Sequence, residues 1–374
     1  MNVVVLGATG SIGLQALDVC DRLGIVPIAL ASGRGGPPFH QLADRYPDAI
    51  LAVADPVDPD HLLDRYRARV VLGPEQVTAL AATRDAVVVN GIVGFAGLDA
   101  TLAALTVGNR LALANKESMV AAGGIVNEVL AEGGGELIPV DSEHSAIHQC
   151  LEGEGRDGVR RLVLTASGGP FRGRDAADLV HVTPEEALAH PTWDMGPRIT
   201  IDSATLVNKG LEVIEAHFLF GLPFDDIDVV VHPQSVVHSL VEFVDGSYKA
   251  HLGVPDMRIP IQYALTAPRR SPLQVEFDLV GRSLTFDAPD REAFPALDLA
   301  YSAGRAGGVA PAVFNAADEV AVAAFLDGRL GFADIPAAIG RALDELGHGA
   351  ADSVDAIRAA DSMARQLVGA WTRA

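Results

Sequence analysis

Short apolar runs alternate with segments of helical spacing over the first 140 residues. The apolar runs lie at residues 3–6, 25–31, 49–54, 70–72, 87–90 and 111–112. A helix face with three- and four-residue spacing is formed by Ile12, Ala16, Leu17, Cys20 and Leu23. Continuous apolar strands separated by helices are typical of a parallel sheet that is buried on both faces. We therefore predict an α/β fold that opens with a Rossmann-like, doubly wound domain over residues 1–140.

The pattern changes after residue 140. Asp245-Gly246 separates two strand-like runs, at 236–244 and 247–252, and this arrangement predicts an antiparallel hairpin. We expect a second α/β domain with a partly antiparallel sheet over residues 141–267. Residues 268–298 contain four prolines and little periodicity, which indicates a linker.

The last part of the chain, residues 299–374, has helical spacing throughout. Pro311 can open one helix, because proline is tolerated in a first turn. Ser353 can cap another, whose apolar face includes Ile357 and Leu367. These features predict a C-terminal helical bundle.

Composition narrows the classes of function. The 374 residues carry 28 basic and 49 acidic side chains, a net charge of −21, so we expect neither nucleic-acid binding nor attraction to an anionic membrane. Two cysteines exclude a disulfide scaffold and a cysteine-rich zinc site, and they fit a reducing compartment. Residues 1–17 lack the positive start of a signal peptide, and no run of 18 apolar residues occurs. We expect a cytoplasmic protein.

A glycine-rich segment at residues 7–13, Gly-Ala-Thr-Gly-Ser-Ile-Gly, joins the first strand to the first helix. Such a turn lets the backbone approach a pyrophosphate at the helix N-terminus, although an ordinary glycine-rich turn has the same spacing. The second strand is followed by Arg34 and by none of the acids typical of an NAD site. Arg34 is either a solvated loop residue or the partner of a 2′-phosphate, and we favour NADP(H).

Polar residues follow two later strands. Lys116 lies between Asn115 and Glu117 after one strand, and Asp141 and Glu143 follow the next. In an extended backbone Asp141 and Glu143 would point to the same side, and two such carboxylates repel unless a cation lies between them. The alternatives are a metal site and a pair of solvated acids.

A second segment strengthens the metal hypothesis. Residues 203–212 are expected to start a helix, with Asn208, Lys209 and Glu212 on one face and Ser203 near its beginning. Oxygen ligands would select Mg²⁺ or Mn²⁺, and the hydroxyl and ammonium groups suit an anionic substrate. A routine surface lysine–glutamate pair is the alternative.

Three other features are less specific. Ser167-Gly168-Gly169 is either a turn or a nest of backbone donors for phosphate. The segment His190–Gly196, which contains Trp193, has the composition of a lid and also of a packed loop. The three histidines around the hairpin, His232, His238 and His251, are interpreted as structural or interfacial.

Taken together, these segments resemble the 1-deoxy-D-xylulose 5-phosphate reductoisomerase family. The matching motifs run in order along almost the whole chain: GATGSIG at 7–13, LANKES at 113–118, PVDSEHSA at 139–146, ASGGPFR at 166–172, HPTWDMG at 190–196, IDSATLVNKGLEVIEAHFLF at 201–220, HPQSVVHS at 232–239, LGVPDMRIPI at 252–261 and NAADEVAVAAFL at 315–326.

The resemblance implies a homodimeric enzyme in which residues 141–267 form the catalytic and dimerisation domain. It implies NADPH-dependent rearrangement and reduction of a phosphorylated sugar, 1-deoxy-D-xylulose 5-phosphate, to 2-C-methyl-D-erythritol 4-phosphate, with Mg²⁺ or Mn²⁺. The metal ligands would be Asp141, Glu143 and Glu212, and the catalytic set adds Lys116 and His190. Substrate positions would be Lys116, Ser142, Glu143, Ser167, His190, Trp193, Ser203, Asn208, Lys209 and Glu212. Cofactor positions would be Thr9, Gly10, Ser11, Ile12, Gly33, Arg34, Gly35, Asn115, Glu117 and Gly196.

Three positions depart from the family pattern. His251 replaces an expected glutamine, Asp318 replaces an expected asparagine, and Gly35 replaces a polar residue after Arg34. The first two lie outside the motifs that carry the chemistry. At the third, glycine has no side chain, so only its backbone can contact the cofactor.

Two other classes of function remain as alternatives. Phosphorylating aldehyde dehydrogenases also begin with a glycine-rich turn of this spacing, and they require a thiolate nucleophile, for which Cys150 is the candidate. An NADP-sensing regulatory protein would account for residues 1–35 and leave the acidic and lysine clusters unexplained.

Overall fold

The first sheet is built from the short apolar runs. The computed structural model describes residues 1–193 and 195–373, so Asp194 of the predicted lid lies outside the described residues. The strands are β1 (Asn2–Leu6), β2 (Ala29–Ser32), β3 (Ile50–Val53), β4 (Val70–Leu72), β5 (Ala86–Asn90), β6 (Arg110–Leu113) and β7 (Glu136–Pro139). Their spatial order is β4-β3-β2-β1-β5-β6-β7, and all neighbours are parallel. The doubly wound prediction is confirmed.

Helices connect these strands in sequence. They are α1 (Ser11–Arg22), α2 (Pro37–Arg45), α3 (Pro59–Tyr66), α4 (Pro74–Ala81), α5 (Leu98–Thr106) and α6 (Lys116–Gly133), and α7 (Ser142–Leu151) follows β7. The order of strands reverses between β1 and β5. Open parallel sheets bind ligands at the carboxyl ends of their strands beside such a reversal, which is where the glycine turn after β1 lies.

The second sheet has four strands. They are β8 (Val159–Ala166), β9 (Ile227–Val231), β10 (Val237–Phe243) and β11 (Tyr248–Leu252), in the order β11-β10-β8-β9. β8 and β9 are parallel, and the other two pairs are antiparallel. The predicted hairpin at Asp245-Gly246 joins β10 to β11, with Gly246 at a φ of +84°.

The remaining helices are α8 (Pro184–Ala187), α9 (Pro197–Ala204), α10 (Val207–Phe220), α11 (Arg258–Thr266), α12 (Ala296–Ala306), α13 (Ala310–Leu326), α14 (Asp334–Leu346) and α15 (Val354–Trp371). The last four form the predicted C-terminal helical region. Pro311 lies in the first turn of α13, and the Ser353 side chain accepts a hydrogen bond from the backbone N–H of Ala356. Both helix-start predictions are confirmed.

Packing divides the chain into two units. The first contains Met1–Ser118, Val126–Ser145 and Asp256–Gln274, and the second contains Met119–Ile125, Ala146–Pro255 and Val275–Ala374. The first unit is completed by α11, which packs on α1 and buries Ile261 and Leu265. These units are defined by packing and not by function. The predicted boundaries of the functional domains therefore stay predictions.

Among residues 1–193 and 195–373, none of the helices is both long and apolar enough to cross a bilayer.

Candidate functional site

The turn between β1 and α1 requires glycine at two positions. Gly7 has a φ of +73°, and a Cβ atom there would lie 2.4 Å from the carbonyl oxygen of Gly91. A Cβ atom on Gly13 would lie 2.3 Å from the carbonyl oxygen of Gly7. The turn therefore packs backbone against backbone, and it leaves the N-terminus of α1 available to an anion.

The end of β2 carries polar and charged side chains. Arg34 is exposed, while the Thr9 and Ser32 hydroxyl oxygens lie 3.2 Å apart. Gly35 is buried with a φ of +67°, and a Cβ atom there would lie 2.9 Å from the Leu62 side chain. A close approach of α3 thus accounts for the departure from a polar residue at position 35.

Asn115 and Glu117 brace the loop that follows β5. The Asn115 side chain accepts a hydrogen bond from Ser118 N, and it donates to the carbonyl oxygens of Ile92 and Gly94, each at 2.8 Å. Glu117 accepts from Gly94 N at 3.1 Å. This bracing was not anticipated from the sequence, since it joins residues more than 20 positions apart.

Asp141 lies at the N-terminus of α7, and this corrects the expectation of an extended backbone. Its carboxylate accepts a hydrogen bond from Glu143 N at 3.2 Å, because a side-chain oxygen there satisfies a free N–H of the first turn. Glu143 belongs to that turn and accepts from the Ser142 hydroxyl. The two carboxylates therefore share a helix N-terminus and not a strand face.

Two basic groups contact Asp141 within the first unit. Lys116 Nζ lies 2.6 Å from Asp141 Oδ2, and both side chains are about nine-tenths buried. His144 Nδ1 lies 3.3 Å from Asp141 Oδ1 and is fully buried. The sequence analysis missed His144, although its three-residue spacing from Asp141 at a helix start was a usable signal.

The sequence analysis predicts that residues 203–212 start one helix, and this prediction is wrong. Ser203 lies near the end of α9, and α10 begins only at Val207. Between them Leu206 adopts the left-handed conformation, with a φ of 61°, which breaks the helix.

The predicted helix face on α10 is confirmed. Asn208 Nδ2 donates to Glu212 Oε1 at 2.6 Å, and Lys209 Nζ donates to Glu212 Oε2. Glu212 is 1% exposed and Lys209 is 3% exposed. Such burial excludes a solvated surface pair, so the carboxylate has charge-assisted hydrogen bonds in a dry environment.

A further group of polar residues lies on the turn after β8. His190 Nε2 and Ser167 Oγ are 3.0 Å apart, and Ser167 Oγ accepts from Gly169 N. His190 Nδ1 accepts from the backbone N–H groups of Thr192 and Trp193, so the neutral ring carries its proton on Nε2 and donates to Ser167. Burial lowers the pKa of His190, which favours this neutral form.

The Trp193 indole lies beside the hairpin histidines. Its centroid is 6.4 Å from the ring of His238, which in turn is 6.0 Å from the ring of His251. Burial, followed by the neighbouring His251, lowers the pKa of His238 to about 4. His232 stacks on Phe286 at 4.7 Å, in agreement with a structural role.

Each unit thus contains its own group of predicted site residues. The first unit holds the glycine turn, Arg34, Lys116, Asp141 and Glu143. The second holds the residues on α9, α10 and the turn after β8, together with Gly196, which precedes the first turn of α9.

Three family models match the chain. The model described as 1-deoxy-D-xylulose 5-phosphate reductoisomerase matches residues 3–123, and the models of two C-terminal domains of that enzyme match residues 137–220 and 252–367. A protein of that name from Xanthomonas axonopodis pv. citri (strain 306) is 53% identical over 98% of this chain and 95% of its own length. A Desulforamulus reducens protein of the same name is 50% identical over 92% of each chain.

Solved structures agree with these matches. The reductoisomerase from Zymomonas mobilis, in complex with NADPH, superposes with a TM-score of 0.91 at 43% identity and covers 99% of this chain and 98% of its own. A reductoisomerase in complex with NADPH, fosmidomycin and magnesium superposes with a TM-score of 0.93 at 37% identity, over 100% of this chain and 98% of its own.

Proposed function

The chain belongs to the 1-deoxy-D-xylulose 5-phosphate reductoisomerase family, and from that premise we propose which of its residues carry the reaction. The enzyme uses NADPH and a divalent metal ion to rearrange and reduce 1-deoxy-D-xylulose 5-phosphate to 2-C-methyl-D-erythritol 4-phosphate, a step of non-mevalonate isoprenoid biosynthesis. The buried carboxylate of Glu212, held between an amide and an ammonium group, is the observation that best supports the assignment of the reaction to these residues.

The glycine turn and Arg34 would hold the cofactor. Gly7 and Gly13 lie so close to neighbouring backbone that a Cβ atom on either would clash. Such close packing fits a turn that presents its backbone to a pyrophosphate. Exposed Arg34 would pair with the 2′-phosphate. The full proposed cofactor set is Thr9, Gly10, Ser11, Ile12, Gly33, Arg34, Gly35, Asn115, Glu117 and Gly196. NADPH supplies the hydride for the reduction.

Asp141, Glu143 and Glu212 would hold the metal ion. Their oxygen donors suit a hard cation such as Mg²⁺ or Mn²⁺, so the residues fit the group. When bound, the ion supplies Lewis acidity to the substrate's oxygen atoms. Lys116, 2.6 Å from Asp141, would orient that carboxylate and donate a hydrogen bond to a substrate oxygen.

The substrate's phosphate would lie at the turn after β8 and the start of α10. Ser167, Ser203, Asn208 and Lys209 supply hydroxyl, amide and ammonium donors for it. His190 carries its proton on Nε2 and would donate it in a hydrogen bond to the bound substrate, while Trp193 would cover the site and exclude water. Ser142 and Glu143 would contact the carbon chain.

The decisive experiment follows NADPH oxidation with 1-deoxy-D-xylulose 5-phosphate, before and after EDTA and after readdition of Mg²⁺ or Mn²⁺. We expect turnover to be abolished by EDTA and restored by either ion. Glu212→Gln should lower turnover roughly 100-fold or more while NADPH binding is retained, because it removes a charged ligand.

A matched control is Glu128→Gln, on the exposed face of α6, which should behave as the wild type. EDTA-insensitive turnover, or full activity of Glu212→Gln, would contradict the metal assignment. An aldehyde dehydrogenase would fail to oxidise NADPH with this substrate, and an NADP sensor would bind NADPH without turnover.

We further infer that two copies of the chain associate through the outer face of the second sheet. An open groove of about 380 Å³ there has an apolar floor that includes Val163, Val230 and Leu240. Arg161, which pairs with Asp228 and Glu242, lies at its rim. An apolar centre with a charged rim is typical of a protein interface.

Sedimentation velocity tests this dimer. Leu240→Glu should give a folded monomer, whereas Leu63→Glu, at an exposed leucine of α3, should remain dimeric. A dimeric Leu240→Glu variant would place the interface elsewhere. The circular dichroism of each variant controls for folding.

The proposed functional organisation keeps the predicted boundaries. Residues 1–140 would bind NADPH, 141–267 would catalyse and dimerise, 268–298 would link, and 299–374 would form the helical domain. A cytoplasmic location is supported by Cys20 and Cys150, which are buried and not joined in a disulfide, as suits a reducing compartment.

A further inference from the structure

Arg198 lies at a junction between the predicted lid and the C-terminal helices. It is the second residue of α9, which begins immediately after His190–Gly196. Its guanidinium Nη2 donates to Asn315 Oδ1 at 3.0 Å and to Asp318 Oδ2 at 3.3 Å, and its Nη1 lies 3.2 Å from Glu319 Oε1. One planar side chain thus spans three positions on a single face of α13.

This network is buried and continues to the last helix. The Asp318 side chain is fully buried, and that of Arg198 is 18% exposed. Arg365 of α15 lies 2.9 Å from the other oxygen of Glu319 and pairs with Asp361. Burial raises the pKa of Glu319, but the charge of Arg198 and the hydrogen bond from Arg365 outweigh it, so the net pKa is lowered. The Glu319 carboxylate is therefore held in its charged form.

The far end of α9 forms part of the proposed phosphate subsite. A Cβ atom on Gly169 would lie 3.0 Å from both the Ser203 carbonyl oxygen and the Ala204 Cα atom. The turn that carries Ser167 therefore packs directly against the end of α9 that carries Ser203. Because a helix moves as a rigid body, a shift at Arg198 would displace Ser203 from Ser167 and would move the end of the predicted lid as well.

We propose that Arg198 is a positioning residue, whose contacts with α13 fix α9 and thereby set the phosphate subsite and the closing of Trp193 over it. The proposal rests on the proposed function of Ser167, Ser203 and Trp193. Asp318, where the family pattern predicts asparagine, supplies one of the carboxylates that contact this guanidinium.

The test compares Arg198→Lys with the wild type. Lysine keeps the positive charge beside the buried carboxylates but cannot span three acceptors, so we expect a folded protein with altered geometry. The KM for the sugar phosphate should rise ~10-fold, with the KM for NADPH unchanged, since misplacement of a site by up to 1 Å costs up to ~100-fold. Arg198→Gln should have a larger effect on the same parameter.

The second measurement does not depend on turnover. The chain contains two tryptophans, Trp193 and Trp371, so Trp371→Phe leaves Trp193 as the single indole reporter. Titration with inorganic phosphate should change its fluorescence, and Arg198→Lys in the same background should bind phosphate ~10-fold more weakly.

Arg365→Gln is the matched control. It removes the other cation on Glu319 without touching α9, so we expect a lower melting temperature and unchanged constants for phosphate and the sugar phosphate. If Arg198→Lys lowers the melting temperature yet leaves both constants unchanged, the residue is merely structural and the proposal is overturned. The absence of any phosphate signal in Trp371→Phe would overturn it too. A normal phosphate signal without wild-type turnover would overturn the proposed function instead.

Discussion

Gly13→Ala is the sharpest test of the cofactor site. The added Cβ atom would lie 2.3 Å from the Gly7 carbonyl oxygen and 2.6 Å from the Ala8 Cα atom. Both are backbone atoms, so the turn must move by about 0.7 Å to restore a separation of 3.0 Å. Because a displacement near 1 Å in a binding site costs up to ~100-fold, we expect the Kd for NADPH to rise roughly 10- to 100-fold.

The matched control for this change is Gly124→Ala. Gly124 is also a helical glycine, on α6, and a Cβ atom there would meet no atom within 4 Å. Alanine favours a helix over glycine by about 1 kcal/mol, so this variant should be slightly more stable and bind NADPH normally. Titration of NADPH fluorescence gives both affinities, and circular dichroism reports the fold. A folded Gly13→Ala protein with wild-type affinity would refute the argument that the turn presents its backbone to the cofactor.

Further predictions concern pH and the cysteine. The pKa of His238 is lowered to about 4, so the unfolded chain takes up a proton on this ring at a higher pH than the folded chain does. Stability should therefore be complete above about pH 6.5 and fall by roughly 3 kcal/mol toward pH 4. Urea titrations of His238→Gln should show a flatter dependence, and an equally steep one would contradict this origin. Cys150→Ala should cost about 1 kcal/mol of stability and leave turnover unchanged, because the thiol is buried in the core of the second unit. Loss of activity in Cys150→Ala would instead support the alternative in which Cys150 is the nucleophile of an aldehyde dehydrogenase.

The sequence predicted the parts of the site that depend on local pattern. The strand before Gly7, the hairpin at Asp245-Gly246 and the shared face of Asn208 and Glu212 all follow from periodicities within a dozen residues. The polar residues after β6 and β7 are predicted at one edge of the sheet because each group follows the carboxyl end of a short apolar strand.

The errors arose where a single backbone angle or a capping bond decided the outcome. Leu206 has no preference for a left-handed conformation, which costs about 1–2 kcal/mol, so the break between α9 and α10 could not be anticipated. The expectation of an extended backbone at Asp141 is wrong because an acid that follows an apolar strand can also cap the next helix. The Arg198 network joins residues over 110 positions apart, a separation that local spacing cannot predict.

The late return of α11 to the first unit has a consequence for biosynthesis. During translation the ribosome must add the roughly 110 residues of Ala146–Pro255 before the partner of α1 exists. At about 5–20 residues per second, the apolar surface that α11 covers stays exposed on the nascent first unit for roughly 5 to 20 s. A chain that ends at residue 145 would lack α11 permanently, so we expect it to bind chaperones and not to form a stable protein.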